Sequence, residues 1–436
     1  MVFTLETGSY ATKRTVTSPR PTPHRPPEDT VHARLVPLPR VTAADARAWR
    51  RLADAAVEPN LYLDPRFLVP ARHRGTDVHD LRLLVVEEGT EWLALLAVTT
   101  TTVAPGVPLR AVTTGGTFMT THSDRHHPLV RAGREVEALG ALLRGLREVG
   151  LPGLVQLQHF PADGPLADAL ARVLGRGGML VHERRRTASA FARRAAVPVD
   201  RIARAAPGTP LVDPPLAVEH MGTGRRKDLR RRVRGLARDA GGPLELHDVS
   251  DDCGVDEEFA AFQAAGWKGD AERGGAALAL DRVAYQWFRD VAAGFRRDGD
   301  AVVLRLTAGG ETLFMSYALR SGGAYFGFLD AYGEQHGKFS PGAVGRLAEL
   351  TYVLAATDAT AFDPAFDARY ATGTQLYPER REYVDLLVST RGLVARTAVR
   401  AAPVAERLGL GAARAVGVPL VPAGGESLAE WLALVA

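Results

Sequence analysis

AYFGFLDAYGEQHGKFSPGAVGRLAELTYVLAA, residues 324–356, organises the chain around it. Ala324 to Leu329 is an apolar run that reads as a strand. A polar loop with Asp330, Tyr332, Glu334, His336 and Lys338 follows, and Ser340 with Pro341 then opens a helix. Ser is a preferred N-cap, and Pro at the first helical position forfeits no helical hydrogen bond. Helix N-termini present free N–H groups and a partial positive charge, so strand, polar loop and helix together suit an anion. The expectation is a cofactor or substrate cradle. Lys338, Ser340 and Gly342 would hold phosphate at the helix start, although Ser340 serves equally well as a plain N-cap.

Just before this stretch, AVVLRLTA, the turn Gly309-Gly310 and ETLFMSYALR predict a β-hairpin. Earlier still come the strand PLELHDV, a helix over 256–265, the loop GWKG and a helix over 281–297. In the last of these, Val283, Trp287, Val291 and Phe295 share a face. ATAFDP and EYVDLLV supply strands afterwards. The first half repeats this order: RLVPLP, a helix over 43–55, a hairpin of LRLLVVEE and EWLALLAVTTTTV, a strand over 109–113, and a helix over 134–149. The strand GLVQLQHF, a helix over 165–174 and the strand MLVHERRRTASAF complete it. Two copies of one α/β unit account for the repetition most simply. The expected division is a Pro-rich disordered tail over 1–30, a first unit over 31–194, a linker over 195–220, a second unit over 221–390 and a helical extension over 391–436. The extension holds helices over 393–408 and 427–435, which pack on the body or mediate self-association, giving a homodimer.

A chain of 436 residues exceeds one ordinary domain. It has no run of about eighteen apolar residues, so no membrane span is expected. It also lacks an N-terminal apolar core of signal-peptide type, and its single cysteine, Cys253, excludes a disulfide framework or a multi-cysteine metal site. A cytoplasmic location follows as the expectation. The mild basic excess, net +4, favours an anionic ligand such as a phosphate-bearing cofactor or RNA. Its densest source is the predicted helix over 225–238, with Arg225, Arg226, Lys227, Arg230, Arg231, Arg232, Arg234 and Arg238. That helix is either a solvated face or a phosphate-binding surface for tRNA or another polyanion. His122, His126 and His127 lack the spacing and acidic partners of a metal site, and no metal is expected.

The second half resembles the FemAB/CelD-like branch of the GCN5-related N-acetyltransferase (GNAT) superfamily. The resemblance rests on the Arg-rich helix RRKDLRRRVRGLARDAG ahead of the first strand and on AAGWKG, with Trp267 and Lys268 as its distinctive pair. A long helix and a hairpin come next, and AYGEQHGKFSPG leads into the last helix. Upstream, EPNLYLDPRFLVPA and the hairpin after it look like that family's N-terminal half, so the likeness covers roughly residues 33–390. It implies an α/β (α+β) fold made of a tandem pair of GNAT-like domains, each a mixed, mostly antiparallel sheet flanked by helices. It also implies acyl transfer, from acyl-CoA or from aminoacyl-tRNA. The chain departs from the family at Gly333, where Asp commonly follows Tyr, at His336, and at YPERREYVDLLV around Tyr377. The superfamily's Gln/Arg-x-x-Gly-x-Gly/Ala signature is not present in clean form.

Acyl transfer to an amine needs a polarised donor carbonyl, a deprotonated amine and a reprotonated leaving group. Asp330, Glu334 and His336 lie just past the central strand and are candidate bases, His336 because its ordinary pKa is near neutrality. Trp267 either stacks on a ring or plugs the core. With Lys268 and Tyr332 it makes a candidate substrate contact. Asp363 is a base or a turn residue, and Tyr377 a candidate general acid. The expected activity is transfer of an acyl group from acyl-CoA, as co-substrate, to an amine of a small molecule or biosynthetic intermediate. The alternatives are aminoacyl-tRNA-dependent amide formation and a non-catalytic binding protein.

Overall fold

The structure is a computed structural model that describes residues 31–75, 78–104, 107–197, 209–366, 373 and 375–407. The tail expected over 1–30 and the helix expected over 427–435 lie outside the described residues. In the first half the chain forms β1 (His32–Pro37), α1 (Ala43–Asp54), α2 (Pro65–Leu68), β2 (Arg82–Glu88), β3 (Glu91–Ala104) and β4 (Val107–Thr113). Next come α3 (Thr117–His122), β5 (Leu129–Val130), α4 (Glu135–Glu148), β6 (Leu154–Pro161), α5 (Gly164–Arg176) and β7 (Leu180–Arg193). After the short β8 (Leu211–Val212) the second half runs α6 (Thr223–Asp239), β9 (Leu244–Asp248), α7 (Val255–Ala265), α8 (Arg282–Arg297), β10 (Ala301–Ala308) and β11 (Glu311–Ser321). It closes with β12 (Ala324–Tyr332), α9 (Pro341–Ala356), β13 (Ala361–Asp363), β14 (Glu379–Ser389) and α10 (Leu393–Arg407).

Local chemistry explains the boundaries. Thr42 and Asp45 form a reciprocal capping box at α1. Asp281 caps α8, accepting hydrogen bonds from the N–H groups of Val283 and Ala284. The expected linker holds the unforeseen β8, which pairs with β9, and α3 and β5 were likewise not anticipated. Two-residue strands and one-turn helices are too short to print a periodicity.

Among the described residues the strands make one sheet in the order β1-β2-β3-β4-β6-β14-β7-β13-β12-β11-β10-β9-β8, with β5 beside β3. Pairing is antiparallel except at β4·β6 and β12·β13, the corresponding place in each half. The mixed, mostly antiparallel tandem fold expected from the sequence is what forms. The units exchange their last strands: β14 lies against β6 and β7, and β7 pairs with β13. The strand around EYVDLLV, grouped by sequence with the second unit, thus extends the first unit's sheet. Each exchanged strand covers an edge whose N–H and C=O groups would otherwise be unpaired.

One apolar cluster also spans both halves, from Trp49 and Phe67 to Trp287, Tyr317 and Phe328. Phe67 meets Trp287 edge-on with ring centroids 5.2 Å apart, and the Trp287 indole N–H donates to the Phe67 carbonyl at 3.2 Å. The opening stretch becomes β12 and α9 at the centre of the second unit. Helix α9 is apolar almost all round and correspondingly buried, from Pro341 to Ala355.

Candidate active site: the wedge between β12 and β13

β12 and β13 run parallel through only three pairs, Ala324–Ala361, Tyr325–Phe362 and Phe326–Asp363. β13 then stops, because Pro364 has no N–H to continue the ladder. β12 continues to Tyr332, paired on its other side with β11 from Leu329 to Tyr332. A bulge at Phe328, between the Tyr317–Leu329 and Ala318–Gly327 pairs, re-aims the strand there. The two strands therefore diverge into a wedge. A Cβ on Gly327 would come within 3.0 Å of the Pro364 carbonyl oxygen, so only glycine lets the chains stay this close at the apex.

At the base of the wedge lies a cavity of about 20 Å³, lined among others by Phe328, Asp330, Arg346, Glu349, Phe366 and Tyr377. Asp330 is buried on β12, and its Oδ2 accepts from Arg346 Nε at 2.6 Å. Lys268 Nζ donates to the Asp330 backbone carbonyl at 2.8 Å and lies 3.6 Å from Oδ1. Burial opposes the Asp330 charge, but Arg346 and Lys268 outweigh it and hold this carboxyl below the usual carboxylate range. For Lys268 burial prevails over Asp330, and its pKa falls below the ordinary lysine value. Glu349, buried on α9 one turn beyond Arg346, is pushed up to about 8 by burial and then by the Asp330 charge, against Ser316 and Arg346. Tyr377 is buried with its ring stacked on Phe362 at 6.2 Å and edge-on to Phe366 at 5.6 Å.

Of the residues expected at a site, the fold thus brings together Asp330, Lys268 and Tyr377. Asp363, paired with Phe326 at the end of β13, faces the first unit instead. Its carboxylate receives Arg125 through two bonds, Nη2 to Oδ1 at 2.7 Å and Nε to Oδ2 at 2.9 Å. Trp267 is buried in a single 3-10 turn with Lys268. His336 lies outside the cavity lining: Nδ1 meets Asp239 Oδ2 at 2.9 Å and Nε2 meets Glu311 Oε2 at 3.1 Å. Glu334 pairs with Arg273 at 3.1 Å on the surface. Lys338 Nζ donates to Asp239 at 3.0 Å.

The start of α9 differs from a simple N-cap. Ser340 adopts a left-handed backbone (φ 56°) and makes no side-chain cap bond. Its hydroxyl accepts instead from Arg232 Nη1 of α6, whose Nε donates to Asp228 at 2.7 Å. α6 is held there by Phe339, against which a Cβ on Gly235 would clash at 2.3 Å. Gly342 similarly leaves room for the Tyr332 ring, 2.9 Å from where its Cβ would stand. The helix start is therefore flanked by a guanidinium. His126 and His127 are buried and bonded through Nε2 to backbone carbonyls, those of Met119 and Ser123 for the first and of Pro59 for the second.

Sequence reasoning named Arg232 only as part of a basic helix surface, and it missed Arg346 and Glu349 as site residues. The available signal for the last two was a pair of charges three residues apart inside an otherwise apolar helix, where only a buried polar partner can tolerate them.

Residues 223–363 match the family model described as an acetyltransferase (GNAT) domain. The sequence matches no protein in the curated set. Among solved structures the chain is similar to FemX, at 11% identity with a TM-score of 0.50, covering 83% of this chain and 98% of that one. A conserved protein of unknown function from Bacteroides thetaiotaomicron gives 11% identity and a TM-score of 0.48, with coverage of 80% and 98%. L-PGS from Bacillus licheniformis gives 12% and 0.46, with coverage of 85% and 96%. β12, α9 and β13 all lie within the matched segment, so residues 223–363 are similar to a GNAT acetyltransferase domain, and the chain as a whole shares its fold with FemX.

Proposed function

We propose that the chain moves an acyl group from an acyl-coenzyme A thioester to the amine of a small molecule, in the wedge beyond Phe326 and Asp363. The observation that carries this reading is the divergence of β12 from β13, which leaves one edge of β12 without a strand partner above a buried, charged cavity. Backbone N–H groups on such an edge can hold the donor and polarise its carbonyl at no reorganisation cost during the reaction. The amine nitrogen attacks the thioester carbon, the C–N bond forms, and the C–S bond breaks. The amine gives its proton up to solvent, and the coenzyme A thiolate leaves and takes one from Tyr377, which lines the cavity and is reprotonated from solvent. At the helix start, Arg232 and the first N–H groups of α9 suit the donor's phosphates, with Lys338, Ser340 and Gly342 around them. Lys268 and Arg346 keep Asp330 ionised and fixed, while Trp267 and Tyr332 border the acceptor side.

A second donor, an aminoacyl-tRNA, is favoured by a different observation. Arg226, Arg230, Arg234 and Arg238 stand four residues apart along α6, and none makes an ion pair among the described residues. They form a line of positive charge about 18 Å long. Calorimetric titration separates the two readings. Saturable binding of acetyl-CoA, with acetylation of amines from a small panel, is the expected result. Binding of charged tRNA alone, weakening steeply with salt, would reverse the assignment.

A further inference from the structure

α10 carries a surface that acyl transfer leaves unused. The helix lies on the first unit's sheet and buries Ala395 and Val399 in a small apolar cluster with Ala111, Leu154 and Leu387. Glu406 fastens its far end, accepting from Arg184 Nε at 2.8 Å and meeting His182 Nε2 at 3.0 Å. Beside its first turn a groove of about 360 Å³ stays open, lined among others by Leu109, Arg110, Leu154, Arg391, Leu393 and Val394. Leu393 is 78% exposed and Val394 66%. Val404, on the same outward side about three turns on, is 56% exposed. Aliphatic side chains gathered at the lip of a groove, rather than scattered singly, mark a surface that a partner would take out of water.

The charge around them has one sign. Arg391 and Arg396 each donate to a backbone carbonyl at 2.9 Å, those of Leu151 and Gly178, and keep their charge. Arg110, Arg400 and Arg407 make no ion pair among the described residues. Between Asp385 and Glu406 the chain has no acidic residue, and no acid lines the groove. A second copy of this chain would set these arginines against their own images across a two-fold axis, which like-charge repulsion disfavours. Hot spots of protein interfaces are rich in Trp and Tyr, and among the described residues no aromatic ring lines this groove. An anionic bilayer suits both halves of the pattern: aliphatic groups enter the acyl-chain boundary while guanidiniums stay with the lipid phosphates.

We propose that the face formed by the start of α10 and the first half of β4 docks on an anionic membrane surface. Leu393 and Val394 enter the bilayer interface, and Arg110, Arg391 and Arg400 meet lipid phosphates. The contact is peripheral and does not depend on the acyl-transfer reading.

Co-sedimentation of the full chain with vesicles is the test, using phosphatidylcholine alone and phosphatidylcholine mixed with phosphatidylglycerol. The wild-type chain should pellet with the mixed vesicles, stay in solution with phosphatidylcholine alone, and be released by added salt. L393S/V394S should weaken binding to the mixed vesicles about tenfold or more, and R110Q/R400Q about fivefold per arginine. Because these side chains are exposed, both variants should melt at the wild-type temperature. A wild-type chain that ignores the mixed vesicles, or variants that bind them as tightly as wild type, overturns the proposal. So does a chain that binds polyglutamate but not the vesicles, which would mark an acidic protein as the partner. A lower melting temperature in L393S/V394S, or a wild-type dimer that this variant splits in sedimentation velocity, overturns it too, because the face would then be covered by the chain itself or by a second copy. None of these readouts involves acyl transfer.

Discussion

His336 shows how a residue's partners decide its use. Its ring joins three segments: the end of α6 through Asp239, β11 through Glu311, and the loop before α9 that carries it. Burial opposes the protonated form, yet Glu311 and Asp239 prevail and its pKa is raised above the ordinary histidine value. A group raised on folding contributes stability that is fully present below its unfolded pKa, about 6.5, and is lost as pH rises through the folded value. Thermal melts of wild type and H336A should therefore differ most near about pH 6, by a few degrees, and the gap should narrow as pH climbs towards about 9. A gap that stays constant over that range would contradict the clamp. The sequence flagged His336 by residue type alone. It could not reveal two carboxylates 97 and 25 residues away in the chain, and those contacts place the ring in a clamp. Asp330 stood out as the first charge after the apolar run over 324–329, although it lies inside β12 rather than in a loop. Glu349 was hidden because the residues around it read as core.

At the level of the element, α9 carries the second unit. It is the helix that the Ser-Pro-Gly segment announces, and its Arg346 and Glu349 supply polar groups to the wedge from the inner side. Its fit against β11 is tight at Gly345, where a Cβ would stand 2.1 Å from Phe314 Cγ. An alanine there gains helix propensity of roughly 0.5–1 kcal/mol but overpacks the interface at a cost of about 1–3 kcal/mol. G345A should lower stability in urea denaturation by about 1–2 kcal/mol. G175A, near the exposed end of α5 with nothing within 4 Å of its Cβ position, should instead raise it slightly. Equal shifts in the two variants would show that Phe314 has room to give way at Gly345. Elements such as α9, α8 and the two hairpins were legible from periodicity and turn chemistry. The special backbone of Ser340 was not, because the Arg232 that takes its hydroxyl lies 108 residues away in the chain.

Across the whole molecule, the two units are held together by more than contact. β7 and β14 are exchanged, Arg125 of the first half grips Asp363 of the second, and Arg50 and Arg66 reach Asp298 and Asp300. Removing one member of the buried Arg125–Asp363 pair would strand the other's charge in the interior. The repeat was readable because hydrophobic pattern recurs in the same order in both halves. The exchange was not, since a strand's alternation tells which face is buried but not which strand lies beside it. This arrangement fixes Asp363 at the apex of the wedge from the far side, so that β12 is free to part from β13 just beyond it. The claim that a donor binds there is open to a direct measurement: amide hydrogen exchange of the wild-type protein with and without coenzyme A. Protection concentrated in residues 327–332 of β12 and 340–344 at the start of α9 is the predicted result. Unchanged exchange in both segments, or protection confined to the first unit, would contradict it.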